Sequence, residues 1–261
     1  MGSKAPEFDE AMRHDLTRNT PAALASFTAE VDYAVQRNFG RPREWTPVQP
    51  RAVMSRVASL MSGRAFVGLP LSRDEEWVQA TVNFTQDVTR AWLLLRLIPS
   101  LLKPFIAPFL PQVRSLKNQR KMTEHKLKPL LRAASHEEKT AGAEKEPGGD
   151  MLRWFRKRYS GPPTLQQLAR DQLLATFASI YNLSNALSYL LFDLASYPEF
   201  VEPLRAELSQ TLKDKEVIDK ESIQKLWKLD SFIRESQRLS PPSLGKATYQ
   251  PQEHFISRKE Y

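Results

Sequence analysis

Residues 164–196 read TLQQLARDQLLATFASIYNLSNALSYLLFDLAS, and their reading decides the fold class. Pro162 and Pro163 precede the stretch and Tyr197-Pro198 follows it. Thr164 is placed to accept from the backbone N–H three residues on while Gln167 reaches back, the two halves of a capping box. Proline at 198 disfavours helical geometry in the residue before it. No residue from 172 to 192 is charged. Leu173, Leu174, Phe177, Ile180, Leu183, Leu187, Leu190 and Leu191 fall on every side of a helix. The spacing predicts one helix about 50 Å long at 1.5 Å per residue. A helix apolar all round lies in the core of a large domain or spans a membrane. A span needs about 20 mostly apolar residues. Thr176, Ser179, Asn182, Ser184, Asn185 and Ser188 interrupt this one, which favours a buried central helix of a soluble domain. Ala178, Ser179 and Asn182 form a small, polar notch in it. Such a notch faces a cofactor or substrate, or it admits the close approach of a second helix. With nothing else to go on, the second is the commoner reason.

The 261 residues are 41% hydrophobic, enough for one large domain or two small ones. The absence of cysteine excludes disulfides, thiolate metal sites and cysteine nucleophiles. A net charge of +8 permits contact with nucleic acid, anionic lipid or an acidic protein, and carries no information on fold. Nineteen prolines against nine glycines point to helices punctuated by proline stops. The four histidines, His14, His125, His136 and His254, are scattered with no metal-ligand spacing, so no metal site is expected.

Upstream, the first fifteen residues are polar and lack the apolar core of a signal peptide. Thr20-Pro21 and Thr46-Pro47 each look like a helix start with threonine as cap and proline in the first turn. Gly40 is suited to end the first of these helices. Ser72-Arg73-Asp74-Glu75 is a further candidate capping box ahead of Trp77, Val78, Val82 and Phe84. Residues 91–111, AWLLLRLIPSLLKPFIAPFLP, are apolar enough to tempt a membrane assignment. Arg96, Lys103 and four prolines argue instead for a broken connector that packs on the protein or dips into a lipid interface.

A basic helix follows, carrying Arg114, Lys117, Arg120, Lys121, Lys126, Lys128 and Arg132, with Glu124 its only acid. It reads as a solvated face, or as a contact for anionic lipid or phosphate. No aromatic stacking motif, zinc spacing or helix-turn-helix signature accompanies it, so no nucleic-acid partner is expected. Residues 133–150 read as a flexible linker. Residues 151–159, MLRWFRKRY, resume the fold ahead of the central helix. After Pro198, residues 199–212 are helical in pattern, with Leu204 and Leu208 inward and Arg205 and Glu207 outward. Asp230 is a candidate cap for a last helix over 231–239. Glu235 and Arg238, three apart on one face of that helix, make a pair worth about 0.2–0.5 kcal/mol in isolation.

The series resembles the cytochrome P-450 superfamily, specifically the filamentous-fungal enzymes that oxidise terpenoids and related secondary metabolites. The resemblance covers roughly residues 12–244. It is carried by Asp15-Leu16-Thr17-Arg18-Asn19 and by Arg64-Ala65-Phe66-Val67-Gly68 followed by Leu71, Arg73, Glu76 and Trp77. Asn83-Phe84-Thr85, Pro108-Phe109-Leu110-Pro111, Pro198-Glu199 and Leu204-Arg205-Ala206-Glu207-Leu208 continue it. Residues 229–239, LDSFIRESQRL, look like the helix bearing the superfamily's Glu-x-x-Arg. The resemblance implies a mainly α fold with haem beneath the central helix. It makes residues 91–111 a connector between lid helices, with Phe105 and Phe109 at the lid and its membrane contact. In membrane-bound members that connector touches lipid.

The departures bear on activity. Relative to the family the chain looks like a central fragment, truncated at both ends, without the N-terminal anchor helix and without the C-terminal loop that carries the cysteine ligand of haem. On this reading residues 1–261 are one incomplete domain, and residues 245–261, GKATYQPQEHFISRKEY, are a divergent tail unlike the family's strands. The oxygen-activating run of the central helix aligns with Ala178-Ser179-Ile180-Tyr181-Asn182. Tyr181 stands where the family has an acid or histidine, and Asn182 where it has threonine. Glu235 and Arg238 lack the downstream arginine that completes their network. His14 lies near the family's haem-propionate contacts but reads as solvent-exposed. No catalytic residue is intact on this reading, and haem binding is in question without the axial cysteine.

The leading expectation is a non-catalytic relative of a fungal haem monooxygenase, loosely packed where the floor of the fold is absent, and cytoplasmic or peripheral to a membrane. Its intact kin would hydroxylate an apolar small molecule with electrons from a flavoprotein reductase. The alternative is a membrane-surface or protein-interaction module that reuses the helical scaffold.

Overall fold

A computed structural model describes residues 6–16, 18, 24–44, 46–137, 151–159, 161, 163–213 and 218–241. All regular structure among them is helical. In chain order the helices are α1 (Pro6–Glu10), α2 (Leu24–Phe39), α3 (Pro50–Phe66), α4 (Glu75–Leu97), α5 (Lys103–Ile106), α6 (Pro111–Glu137), α7 (Met151–Arg158), α8 (Leu165–Ser196), α9 (Val201–Leu212), α10 (Lys220–Gln224) and α11 (Trp227–Leu239). A π-helical turn, Ala11–Leu16, continues α1.

The central helix forms as its ends dictate. Thr164 Oγ1 accepts from Gln167 N, and the Gln167 side-chain oxygen accepts from Thr164 N at 2.8 Å, so the capping box is complete. Tyr197 N closes the other end on Asp193 O at 2.9 Å. At 32 residues α8 is about 48 Å long, and α3, α4, α6, α7 and α11 all pack on it. The main core gathers Phe8, Phe66, Trp77, Leu127, Met151, Phe155 and Leu168 around its N-terminal half. A smaller core joins α2, α3 and α4 through Ala34, Val57, Leu60 and Val78.

Burial along α8 departs from the all-round pattern. From its middle onward Ile180, Ser184, Asn185 and Ser188 are buried, while Ala178, Asn182, Tyr189 and Phe192 are exposed. The cause is close packing by α3. Ser62 Oγ lies 2.6 Å from Ser179 Oγ, and Arg51 Nη2 donates to Asn185 Oδ1 at 3.0 Å. Small side chains let two backbones approach, and their hydroxyls bond locally: Ser188 to Ser184 O at 2.6 Å and Ser184 to Tyr181 O at 3.3 Å. On α3, Gly63 meets the turn before α4 so tightly that a Cβ there would lie 3.2 Å from Ser72 Cβ.

Several start signals lie elsewhere than their local sequence indicates. Before α4 the cap is Asp74, which accepts from Trp77 N at 2.9 Å; Ser72 is fully buried, inside the preceding turn Leu71–Arg73. Helix α3 starts at Pro50 behind Gln49 and not at Thr46-Pro47, because Val53 N already turns back to Gln49 O. Helix α11 starts at Trp227, ahead of Asp230, because Glu207 reaches across from α9 and accepts from Lys228 N and Leu229 N. Asp230 instead pairs with Arg234 at 2.7 Å, and Glu207 is not simply outward. Gly40 does end α2, at φ 66° with its N–H on Gln36 O. Helix α6 runs to Glu137, so the first five residues of the expected linker are helical. Thr20-Pro21, residues 138–150 and the tail 245–261 lie outside the described residues.

Candidate functional site

The N-terminus of α4 is built from four consecutive charges that reach different neighbours. Arg73 donates from Nε and Nη2 to Glu30 of α2, which is 1% exposed, and its guanidinium lies 3.8 Å over the Tyr33 ring. Those bonds raise the Arg73 pKa. Lys126 of α6 bridges Asp74 at 3.1 Å and Glu76 at 2.7 Å, and Arg56 of α3 meets Glu75 at 2.8 Å. The Trp77 N–H, and then Lys126, hold the Asp74 carboxyl below its ordinary range. Of this latch, sequence reading reached only the candidate cap; its partners are 19 to 52 residues away and leave no local signal.

The opposite end of α4 has no such ties. Trp92, Leu93 and Leu97 face solvent, as do Leu101 (86% exposed), Phe105 (72%) and Phe109 (74%) in the segment joining α4 to α6. Of the two readings open for residues 91–111, packing against the protein is not the one seen for these side chains. Among the described residues no helix is long and apolar enough to cross a membrane.

The notch of α8 splits. Ala178 and Ser179 line a cleft of about 400 Å³ with Met12, Phe27, Met61 and Leu183. Tyr181 stacks on Phe177 at 5.9 Å between ring centres. The Asn182 amide donates to Ala178 O at 2.8 Å on the exposed side of the helix. The structure thus brings Ser179 to α3, as helix packing requires, and does not gather Ala178, Ser179, Tyr181 and Asn182 around one space.

Arg238 grips Glu235 through Nε (2.8 Å) and Nη2 (2.6 Å), and these bonds hold the Glu235 carboxyl below its usual value. Both side chains are exposed. Beside them opens a groove of about 740 Å³ where Tyr197, Phe200, Leu204, Trp227 and Phe232 meet. Ser236 donates to Asp193 across the seam, tying α11 to the end of α8; a mid-helix serine gives no hint of this in sequence.

His14 and His125 are exposed, and among the described residues no group of histidine, aspartate and glutamate could hold a metal ion. A buried polar pair lies elsewhere: the Tyr159 hydroxyl donates to Asp171 of α8, whose other oxygen accepts from Arg170 Nε at 3.0 Å. Burial first, and then the Asp171 carboxylate, push the Tyr159 phenol up to about 12.

Comparison with known proteins supplies the frame for these features. The chain is 72% identical over 245 residues to the cytochrome P-450 monooxygenase ataF of Aspergillus terreus, covering 94% of this chain and 49% of that protein. It is 54% identical over 251 residues to the cytochrome P-450 monooxygenase gliF of Aspergillus fumigatus, covering 94% and 50%. The chain therefore spans about half the length of the curated relatives it matches. The retinoic acid-bound cyanobacterial CYP120A1 superposes with a TM-score of 0.61 at 20% identity, over 84% of this chain and 46% of that one, which shows the same fold. The family model described as cytochrome P-450 matches residues 18–249. With residues 18–249 inside that match, the chain belongs to the cytochrome P-450 family.

Proposed function

We propose that these residues form the central-helix and lid portion of a fungal haem monooxygenase of the ataF and gliF kind, and that the 261 residues alone do not carry out monooxygenation. The observation that carries this reading is 72% identity to a monooxygenase in a sequence with no cysteine. In the family haem supplies oxygen activation, with a cysteine thiolate pushing electron density onto the iron. The residues present do not fit a thiolate-ligated haem. No cysteine is available, and neither described histidine lies in a closed pocket. Tyr181 and Asn182 stand where the resemblance expects proton-guiding groups, and the Asn182 amide is spent on Ala178 O. An apolar small molecule as substrate, and electrons from a flavoprotein reductase, are what the family implies for its intact members; we assign neither to this chain alone.

The test is haem titration of the purified chain. Expected are weak or no binding and no reduced-CO band of the thiolate type. A stoichiometric complex with that band would overturn the reading.

A second reading rests on its own observation. Leu97, Leu101, Leu102, Phe105 and Phe109 are all exposed along this one segment, a clustering of apolar side chains of the kind that marks an interaction site, and it supports shallow insertion at a membrane surface. Sedimentation with vesicles, comparing the parent with Phe105→Ser/Phe109→Ser, tests it. Equal sedimentation of the two would end it.

A further inference from the structure

Helix α6 has two kinds of cation. Those off its outward face are partnered: Arg120 with Glu124 at 3.2 Å, and Lys126 with Asp74 and Glu76. The others, Arg114, Lys117, Lys121, Lys128 and Arg132, have no ion-pair partner among the described residues. With His125 they fall at steps of three and four along the helix. Side chains at that spacing stack on one face. All six are exposed. The buried residues of the same helix, Gln119, Thr123 and Leu127, repeat every four and lie on the opposite face. The result is an exposed cationic stripe roughly 27 Å long at 1.5 Å per residue; the one acid bordering it among the described residues of the helix, Glu124, is paired with Arg120, and its ends border shallow clefts shared with Gln166 and with Asp74.

We propose that this stripe is a docking surface for the headgroups of an anionic bilayer. The proposal rests on the membrane-surface reading of the α4–α6 connector and adds to it the lipid charge that is recognised. Charge complementarity is one argument: five cations in a line meet a sheet of phosphate and carboxylate groups without needing a shaped pocket. Continuity is the other. The stripe begins five residues after Phe109 and nine after Phe105, so the cations adjoin two of the strongly exposed apolar side chains among the described residues. An apolar tip beside a basic helical face is the arrangement that holds a surface-bound segment at a bilayer. An acidic protein or a nucleic acid in solution would leave the tip unexplained.

The experiment uses the full chain and two vesicle compositions, phosphatidylcholine alone and phosphatidylcholine with phosphatidylserine. It compares the parent, the stripe variant Lys117→Gln/Lys121→Gln/Lys128→Gln, the off-stripe control Arg120→Gln, and the tip variant Phe105→Ser/Phe109→Ser. Far-UV dichroism confirms equal helix content. Expected is tighter binding of the parent to the anionic vesicles, by on the order of 10-fold or more, given about 5-fold per surface cation. That advantage should fade in high salt. The stripe variant should lose the advantage and keep its residual binding to phosphatidylcholine, whereas Arg120→Gln should behave as the parent does. Equal parental affinity for the two vesicles, or a stripe variant that keeps the preference, overturns the proposal while leaving the tip reading intact. A tip variant that still matches the parent on phosphatidylcholine overturns the tip reading instead. Capture of the parent by polyglutamate in preference to anionic vesicles would make the occupant an acidic protein and also overturn the proposal.

Discussion

The two halves of α8 differ in what they leave exposed. In the N-terminal half apolar side chains are inside: Leu168, Ala169, Leu173 and Ala175 are buried, and the one buried acid, Asp171, is held by Tyr159 and Arg170. In the C-terminal half Ser184, Asn185 and Ser188 are buried, Asn185 held by Arg51 of α3, while Tyr189 and Phe192 face out. Polar side chains, Gln172 and Thr176 among them, are buried in the first half as well, but the exposed large apolar side chains of the helix, Tyr189 and Phe192, are confined to the second. Where α7, α4 and α6 surround the helix, area removed from water sets the pattern. Where α3 approaches it closely, side-chain size sets the pattern, and bonded hydroxyls are the small groups chosen. The outward apolar face of the second half is then surface that the described residues leave uncovered.

The largest effect should come from the first half. Phe155 is fully buried and stacks on Phe8 at 5.6 Å. Phe155→Ala should cost about 3–5 kcal/mol, as large-to-small changes in a packed core do. Urea unfolding followed by dichroism measures it. A loss under about 1 kcal/mol would mean that this core is already loose.

Next comes a change that hydropathy alone would score as favourable. Ser188 is buried, its hydroxyl on Ser184 O. Ser188→Leu adds apolar volume at a buried position and removes that bond, so it should destabilise by about 1–3 kcal/mol through overpacking. A stabilised variant would show that the packing around it can part to accept the larger side chain, and the contrast between the halves would fail.

A smaller, pH-dependent effect belongs to the buried acid. The Tyr159 phenol is raised from 10.0 to about 12. Its folded pKa exceeds its unfolded one, so its contribution is complete below about pH 10 and is lost as pH rises through about 12. The difference between the alkaline absorbance titrations of the parent and Tyr159→Phe isolates this group. A midpoint near 10 in that difference would show that water reaches the pair.

These contrasts explain how much was legible beforehand. The capping box at Thr164 and Gln167 is visible because both partners lie within four residues. So is the stop at Gly40, which needs only a positive φ. The start of α11 is not visible, because its cap, Glu207, comes from another helix. The same holds for the Glu30–Arg73 bond that seats α4. The Glu235–Arg238 pair was legible as an i, i+3 contact, and the structure shows that contact with both side chains in solvent. The notch at Ala178–Asn182 was legible as a notch, with its two uses left open; Ser179 on Ser62 gives it a packing use. Exposure of Phe105 and Phe109 could not be read from composition, which is the same for a buried connector and a bare one.

The smallest stability change should come from the outer face. Phe192 is about half exposed, so Phe192→Ser removes little apolar area that folding had taken from water. At about 25 cal/mol per Å² buried, its stability should stay within about 0.5 kcal/mol of the parent. The same substitution should nonetheless change how the surface behaves. Tyr189 and Phe192 lie three apart on one face, and Phe200 and Trp227 border the nearby groove. An apolar surface of this kind binds ANS even in a well-folded protein. Phe192→Ser should therefore reduce ANS fluorescence and aggregation while leaving the urea midpoint in place. Read beside Ser188→Leu, four residues earlier on the same helix, it isolates position from hydrophobicity: one change adds apolar volume and costs stability, and the other removes it at almost no cost. A Phe192→Ser midpoint lowered by 2 kcal/mol or so, with ANS binding unchanged, would show that this ring is covered in solution, and the outer face of α8 would then belong to a packed interface.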